Sequence, residues 1–164
     1  MKPNYLTILI TTLCIFFNAC HNSNTAPQLQ LADSLIDKRA DSALCILEKL
    51  SIEEISNKSA KAMYALLLTE ALDKNFKSHR NDSLILIAVD YYKDNSNNKL
   101  KTKAYYYLGR VYQDNKEYIK ATEAYLTALK TASPNQAPSI FQITIAGISS
   151  FAISQCFYIC HSYI

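Results

Sequence analysis

The sequence predicts an all-α protein built from antiparallel helical hairpins, and three observations lead to this prediction. Only two glycines and four prolines occur among 164 residues, which is few for a sheet protein with many turns. Apolar residues recur three and four positions apart over several stretches, which is the spacing of one helix face. Polar breaks, such as 77–82 and 93–98, separate the paired stretches.

The length and net charge of the chain limit its number of domains and the kinds of partner that it can bind. A chain of 164 residues is long enough for one domain with a modest core. The net charge is only +3, and lysines such as Lys99, Lys101 and Lys103 are balanced by acidic residues elsewhere. Because the chain lacks a sustained basic stripe or an arginine cluster, we expect no nucleic acid among its partners.

The first 19 residues predict an export signal. Lys2 precedes an apolar stretch from Tyr5 to Phe17, which has the charge and length of a signal peptide and is short for a membrane span. Ordinary cleavage needs small residues one and three positions before the cut, and Phe17 is too large for the second of these. We therefore assign residues 1–19 to a signal peptide of a different cleavage class.

The residues at the end of this leader, Phe17-Asn18-Ala19-Cys20, resemble the lipobox of bacterial lipoproteins. The resemblance implies cleavage before Cys20 and attachment of diacylglycerol to its sulfur, which would anchor the protein in the bacterial cell envelope, on the periplasmic side or in the outer membrane. An uncleaved membrane anchor and an ordinary secreted form are the alternatives. Residues 20–27 are then predicted to be a flexible polar tether.

Three helical hairpins are predicted after the tether, at about 28–50, 57–93 and 99–132. The first carries Leu31, Leu35 and Ile36 at helical spacing, and its second helix is expected to begin at Asp41 or Ser42 as N-cap. The second is expected to begin near Asn57 and to use Asp82 as the N-cap of its second helix. Its first helix has an apolar stripe made of Tyr64, Leu67, Leu68 and Ala71.

The third hairpin, which contains the stretch from Ala104 to Lys130, is similar to a tetratricopeptide repeat, a helix–turn–helix unit of 34 residues. The matching positions are Tyr105, Leu108, Gly109, Tyr112, Ala121, Tyr125 and Ala128. Gly109 and the two alanines are expected to let the paired helices approach closely, while the tyrosines fill the wider gaps. Asn115 is expected to take the left-handed conformation that ends the first helix. The resemblance extends with less agreement over the rest of 28–135, and a generic antiparallel bundle is the alternative fold.

In this family the first helix of each repeat lines a groove that holds a peptide. Carried over by position, the resemblance implies that the groove of the third hairpin is lined by Lys103, Tyr106, Arg110, Gln113 and Asp114. Tyr106 and Arg110 are of residue types that often anchor interfaces. The alternative interpretation is an ordinary solvated helix face.

The segment 136–164 departs from the rest of the chain, because it is apolar, rich in isoleucine and without charge. Three interpretations remain open: a helix that caps the last hairpin, a membrane segment from Ile140 to Cys160, and a truncated or out-of-frame end. Cys156, Cys160 and His161 lack a second pair of ligands, so we expect no zinc site.

Nothing in the sequence indicates catalysis. The three histidines lie in the tether, a loop and the apolar tail, and phosphate-binding loops, nucleophile elbows and HExxH motifs do not occur. We therefore expect neither an enzyme nor a cofactor, metal or small-molecule substrate. The hypothesis is a lipid-anchored repeat scaffold that binds a protein or peptide. The alternatives are a truncated fragment of a membrane sensor that has lost its output domain, and a self-assembling structural envelope protein.

Overall fold

The computed structural model describes residues 25–78 and 81–132 of the chain. Within these two ranges the protein is entirely helical and contains no β-strand, which confirms the all-α prediction. The six α-helices are α1 (Thr25–Leu35), α2 (Ala40–Leu47), α3 (Lys58–Lys74), α4 (Ser83–Tyr92), α5 (Asn98–Asp114) and α6 (Tyr118–Thr131), and a short 3₁₀ turn at Ile52–Glu54 lies between α2 and α3.

The first helix begins earlier than predicted. Because α1 starts at Thr25, the last three residues of the predicted tether are helical. Pro27 is compatible with this start, since amides in the first helical turn have no intrahelical acceptor. The buried face of α1 carries Leu29 and Ala32, whereas Leu31 is half exposed and does not share this face.

One predicted helix start differs from the structure, and another is confirmed in position without the expected capping hydrogen bond. Neither Asp41 nor Ser42 is an N-cap, because α2 begins at Ala40 after Arg39. Asp41 instead lies in the first turn, where the positive end of the helix dipole favours a carboxylate. Asp82 occupies the N-cap position of α4 without a side-chain capping hydrogen bond. Cys45, within α2, is exposed and free.

Helices α3 and α5 repeat the same local design. Each has 17 residues, and their first residues, Lys58 and Asn98, are 40 positions apart. An asparagine caps each start: the Asn57 side chain accepts from the amides of Ser59 and Ala60, and the Asn97 side chain accepts from the amide of Leu100. The start predicted near Asn57 is therefore confirmed.

The two helices also end alike. Asn75 and Asn115 follow the last helical residue, and the next residues, Phe76 and Lys116, have φ of 54° and 62°. The prediction that Asn115 is the left-handed residue is wrong, since its φ is −80°. The left-handed position lies one residue further on, because the Glu117 amide donates to the carbonyl of Tyr112 across this turn.

The core consists of two clusters of buried side chains that meet at α3. One joins α1, α2 and α3 and includes Leu47, Tyr64 and Leu67. The other joins α3, α4, α5 and Ala124 of α6. Helix α3 touches α1, α2, α4 and α5, and it is therefore the central element of the described fold.

Candidate functional site

The residues predicted to line a groove all lie on α5, at positions three or four apart except for the adjacent Gln113 and Asp114, and therefore share one side of the helix. The structure places this side against the end of α3. None of the five is fully buried; Asp114 is exposed, and Lys103, Tyr106, Arg110 and Gln113 are partly buried. The contacts of each of these side chains determine which groups the surface offers to a partner.

Lys103 is bound to a carboxylate that the sequence analysis did not identify. Its Nζ lies 2.5 Å from Oε2 of Glu70 on α3, and Oε1 of the same carboxylate lies 3.1 Å from Lys74 Nζ. Glu70 is only 2% exposed, so Lys103 and Lys74 serve as the charge partners of its carboxylate. Burial, followed by the negative charge of Glu70, raises the pKa of the neighbouring Tyr107. The one feature of the sequence that could have indicated this ion pair is a glutamate on the apolar side of α3.

Lys74 extends this ionic contact to the first hairpin. Its Nζ lies 2.5 Å from Oδ1 of Asp37, just after α1, and the hydrogen bond and charge of Lys74 lower the pKa of that carboxyl. Asp37, Lys74, Glu70 and Lys103 therefore form a row of alternating charges. We call this row the ionic ladder; it connects the end of α1 to α3 and α5.

Arg110 is also held by α3. Its Nε donates to Oδ1 of Asp73 at 2.8 Å, and its Nη1 donates to Oε1 of Gln113 at 3.3 Å. The same amide oxygen accepts from the hydroxyl of Tyr125 at 2.7 Å. Burial opposes the charge of Arg110, but Asp73 outweighs it and the pKa of Arg110 lies above its ordinary value. Asp73 was not identified from the sequence, because a helix surface normally carries such acids in solvent.

Tyr106 is packed between two other tyrosine rings. Its ring centroid lies 4.9 Å from that of Tyr107 and 5.9 Å from that of Tyr125. Burial raises its pKa to about 12. The ring is only partly covered, so it offers a fixed aromatic edge on the α5 surface.

A pocket of about 300 Å³ lies where the ends of α3 and α5 meet. It is lined by Asp73, Phe76, Lys77, Ser78, Arg110 and Asp114. Two of the predicted groove residues, Arg110 and Asp114, thus contribute to it, while Lys103, Tyr106 and Gln113 do not. Phe76 and Lys77 follow α3 in a segment predicted only as a loop.

The residues predicted to pack the third hairpin lie between α5 and α6. Tyr125 is 2% exposed, and its ring covers Gly109, where an added Cβ would lie 2.5 Å from two ring carbons. The close approach at Gly109 is therefore between a glycine and a tyrosine. The remaining members divide by burial: buried Leu108, Ala121 and Ala128, and half-buried Tyr105 and Tyr112.

Several other features fall outside the described residues or are absent from them. Cys20, the rest of the leader and the segment 136–164 lie outside the two described ranges. In residues 25–78 and 81–132, no group of three or more His, Cys, Asp or Glu side chains is placed to hold a metal ion. No helix in the same part of the chain has the length and apolarity that crossing a bilayer requires.

Comparison with known proteins adds no relative. No protein-family model, curated protein or solved structure matches this chain.

Proposed function

We propose that this protein is a lipid-anchored scaffold of the bacterial cell envelope, which binds a protein or peptide through a tetratricopeptide-like stack of helical hairpins. The repeat relation between α3 and α5 carries the proposal. Two helices of equal length, with the same type of start and end, lie in contact. Repeats that contact their neighbours in this way build extended binding surfaces.

The surface formed by α3 and α5 is suited to binding because it is already ordered. Lys103 and Arg110 are fixed by Glu70 and Asp73, so a partner would not have to immobilise these long side chains. Lys103 and Arg110 hold α5 against α3. A partner would contact the partly exposed Tyr106 and the exposed Asp114. This arrangement supports recognition of a polypeptide and offers no set of acid, base and nucleophile.

The binding proposal is tested with a photo-crosslinking amino acid incorporated at Asp114 in intact cells. The matched control carries the same amino acid at Glu123, which is exposed on α6. We expect a discrete crosslinked species from position 114 that is absent from position 123 and is lost when Tyr106→Ala is added. Circular dichroism establishes that the Tyr106→Ala variant remains helical.

Equal crosslinking from both positions, or a species that persists after Tyr106→Ala, would contradict a binding surface at this place. The anchor is tested separately by metabolic labelling with a radioactive fatty acid. We expect label in the wild-type protein and none in Cys20→Ala. Label in both variants would rule out Cys20 as the lipid attachment point.

A further inference from the structure

Helix α6 exposes two large apolar side chains on its outer side. Ile119 is 77% exposed and Leu126 is 43% exposed. They are seven residues apart and therefore lie on one line along the helix, about 10 Å from each other along its axis. The buried Ala121 and Ala128 follow them by two residues each and lie on the opposite side. We call Ile119 and Leu126 the α6 patch.

The α6 patch is not a general feature of these hairpins, as a comparison with α4 shows. Both are the second helices of their hairpins, and their buried residues have the same spacing of three, one and three: Ile85, Ala88, Val89 and Tyr92 in α4, and Ala121, Ala124, Tyr125 and Ala128 in α6. In this register Ser83 and Asp90 of α4 correspond to Ile119 and Leu126, and both are exposed and polar. The place that is suited to water on α4 is thus suited to an apolar contact on α6.

The chain that follows α6 has the composition to make this contact. Residues 136–164 contain no Asp, Glu, Lys or Arg and are rich in isoleucine and phenylalanine. Burial of such a segment against the α6 patch removes apolar surface from water on both sides. It does not remove a charged side chain from water, which would be costly.

The segment is also close enough to reach the α6 patch. Helix α6 ends at Thr131, about 8 Å along the axis from Leu126 and about 18 Å from Ile119. Residues 133–138 can span up to about 20 Å, so the apolar residues from Ile140 onward can reach either end of the patch. A link this short gives an effective concentration in the millimolar range.

A second copy of the chain is a less suitable occupant. A stable interface between two proteins buries roughly 1,200–2,000 Å² and uses about 20–30 residues on each side, whereas the α6 patch consists of two. A second copy at micromolar concentration would also have to compete with a segment that is attached to the same helix.

We infer that the segment 136–164 folds back along α6 and packs on the α6 patch, so that the chain covers the outer side of its own third hairpin. The contact involves this chain alone, and it does not depend on the partner or on the lipid anchor proposed above. A segment held in this way is not available to cross a membrane.

The contact is tested by photo-crosslinking within the purified full chain. Benzoylphenylalanine is incorporated at position 119 or, as the matched control, at position 83, the corresponding exposed position of α4. After irradiation, peptide mass spectrometry of the monomer is expected to show crosslinks from position 119 to peptides of 136–164 and none from position 83. Crosslinks from position 119 only to a second copy, to detergent or to residues before 133 would overturn the inference, as would equal yields from the two positions.

The cysteines of the segment give an independent measure. Cys156 and Cys160 lie in it, whereas Cys45 is exposed on α2. We expect the double variant Ile119→Ser, Leu126→Ser to raise the alkylation rates of Cys156 and Cys160 under reducing conditions by about tenfold, since the loss of two apolar contacts shifts a docking equilibrium by at least this factor. The rate of Cys45 should not change.

The matched control for this variant is Glu123→Ser, Lys130→Ser. These two residues are also exposed on α6 and seven positions apart, and we expect their replacement to leave all alkylation rates unchanged. Unchanged rates in the segment after loss of the α6 patch, or the same acceleration in the control, would contradict the inference.

Discussion

Helices α5 and α6 approach each other closely at one pair of residues, Gly109 and Tyr125. A Cβ at position 109 would lie 2.5 Å from two carbons of the Tyr125 ring, closer than carbon atoms approach without displacement. The ring has little freedom to yield, because it is buried and its hydroxyl donates to Gln113 at 2.7 Å. The glycine is thus a requirement of packing.

We predict that Gly109→Ala lowers the free energy of unfolding by about 1–3 kcal/mol, the usual cost of overpacking. The greater helix propensity of alanine, about 1 kcal/mol, opposes this effect and does not cancel it. Urea denaturation measures the change. In the background Tyr125→Ala the same substitution should be neutral or stabilising, and a loss of equal size in both backgrounds would contradict the contact.

Tyr92 and Tyr106, one buried and one partly buried, predict that the free energy of unfolding declines in alkali. Burial raises the pKa of Tyr92 and Tyr106 to about 12 each, whereas an unfolded tyrosine titrates near pH 10. Above that pH the unfolded chain has released protons that the folded protein still holds, so unfolding becomes more favourable. The contribution is complete below about pH 10 and is lost as the pH rises through about 12.

We therefore expect the free energy of unfolding, measured by urea denaturation, to fall between about pH 10 and pH 12. The variant Tyr92→Phe should flatten part of this decline, since its ring cannot ionise. Ultraviolet absorbance of the folded protein gives an independent measure. Complete ionisation of all tyrosines near pH 10 without unfolding would refute the burial.

At the scale of the helix, the ends of α3 and α5 each hold a residue in an unfavourable backbone conformation, which a substitution by glycine would relieve. A residue with a Cβ in the left-handed region is disfavoured by roughly 1–2 kcal/mol relative to glycine. Both Phe76 and Lys116 are in this region.

We predict that Lys116→Gly raises the free energy of unfolding by about 1 kcal/mol, as measured by thermal or urea denaturation. The matched control is Lys93→Gly after α4, where φ is −54° and glycine brings no such relief. A gain of the same size at Lys93, or none at Lys116, would show that the strain at the end of α5 is not present.

The sequence predicts those features of the helices that depend on residues close together in the chain, and it misses those that depend on tertiary contacts. The helical content and the cap at Asn57 follow from spacing and from one side chain, and the sequence was sufficient for them. The left-handed conformation was predicted at Asn115 and lies at Lys116. The prediction followed the preference of asparagine for this conformation, whereas the hydrogen bonds at the helix end fix which position adopts it. The early start of α1 was missed, since the burial of Leu29 against neighbouring helices is a tertiary effect.

The candidate site was predictable on one helix only. The spacing of Lys103, Arg110 and Asp114 places them on one side of α5. Their partners Glu70 and Asp73 are more than 30 residues away in sequence, and a single sequence gives no indication of such long-range pairs. The place of Phe76 in the pocket lining was missed, because the sequence predicts only a loop for its segment.

For the whole molecule, α3 holds the hairpins together both through the core and through charge. The two core clusters meet on this helix, and the ionic ladder crosses it from Asp37 to Lys103. Because Glu70 is buried, loss of Lys103 leaves a poorly solvated carboxylate with Lys74 as its remaining charge partner, which weakens the compensation of its charge. The relative placement of α1, α3 and α5 is therefore fixed by more than apolar packing.

The most direct test of this account is a double-mutant cycle between Glu70→Gln and Lys103→Met, with the free energy of unfolding as readout. If α3 and α5 are neighbours as described, we expect a coupling of about 1–3 kcal/mol. The exposed pair of Lys120 and Glu117 within α6 and its flanking turn, treated in the same way, should give about 0.5 kcal/mol or less. A coupling near zero between Glu70 and Lys103 would contradict the arrangement of the two helices on which the proposed binding surface depends.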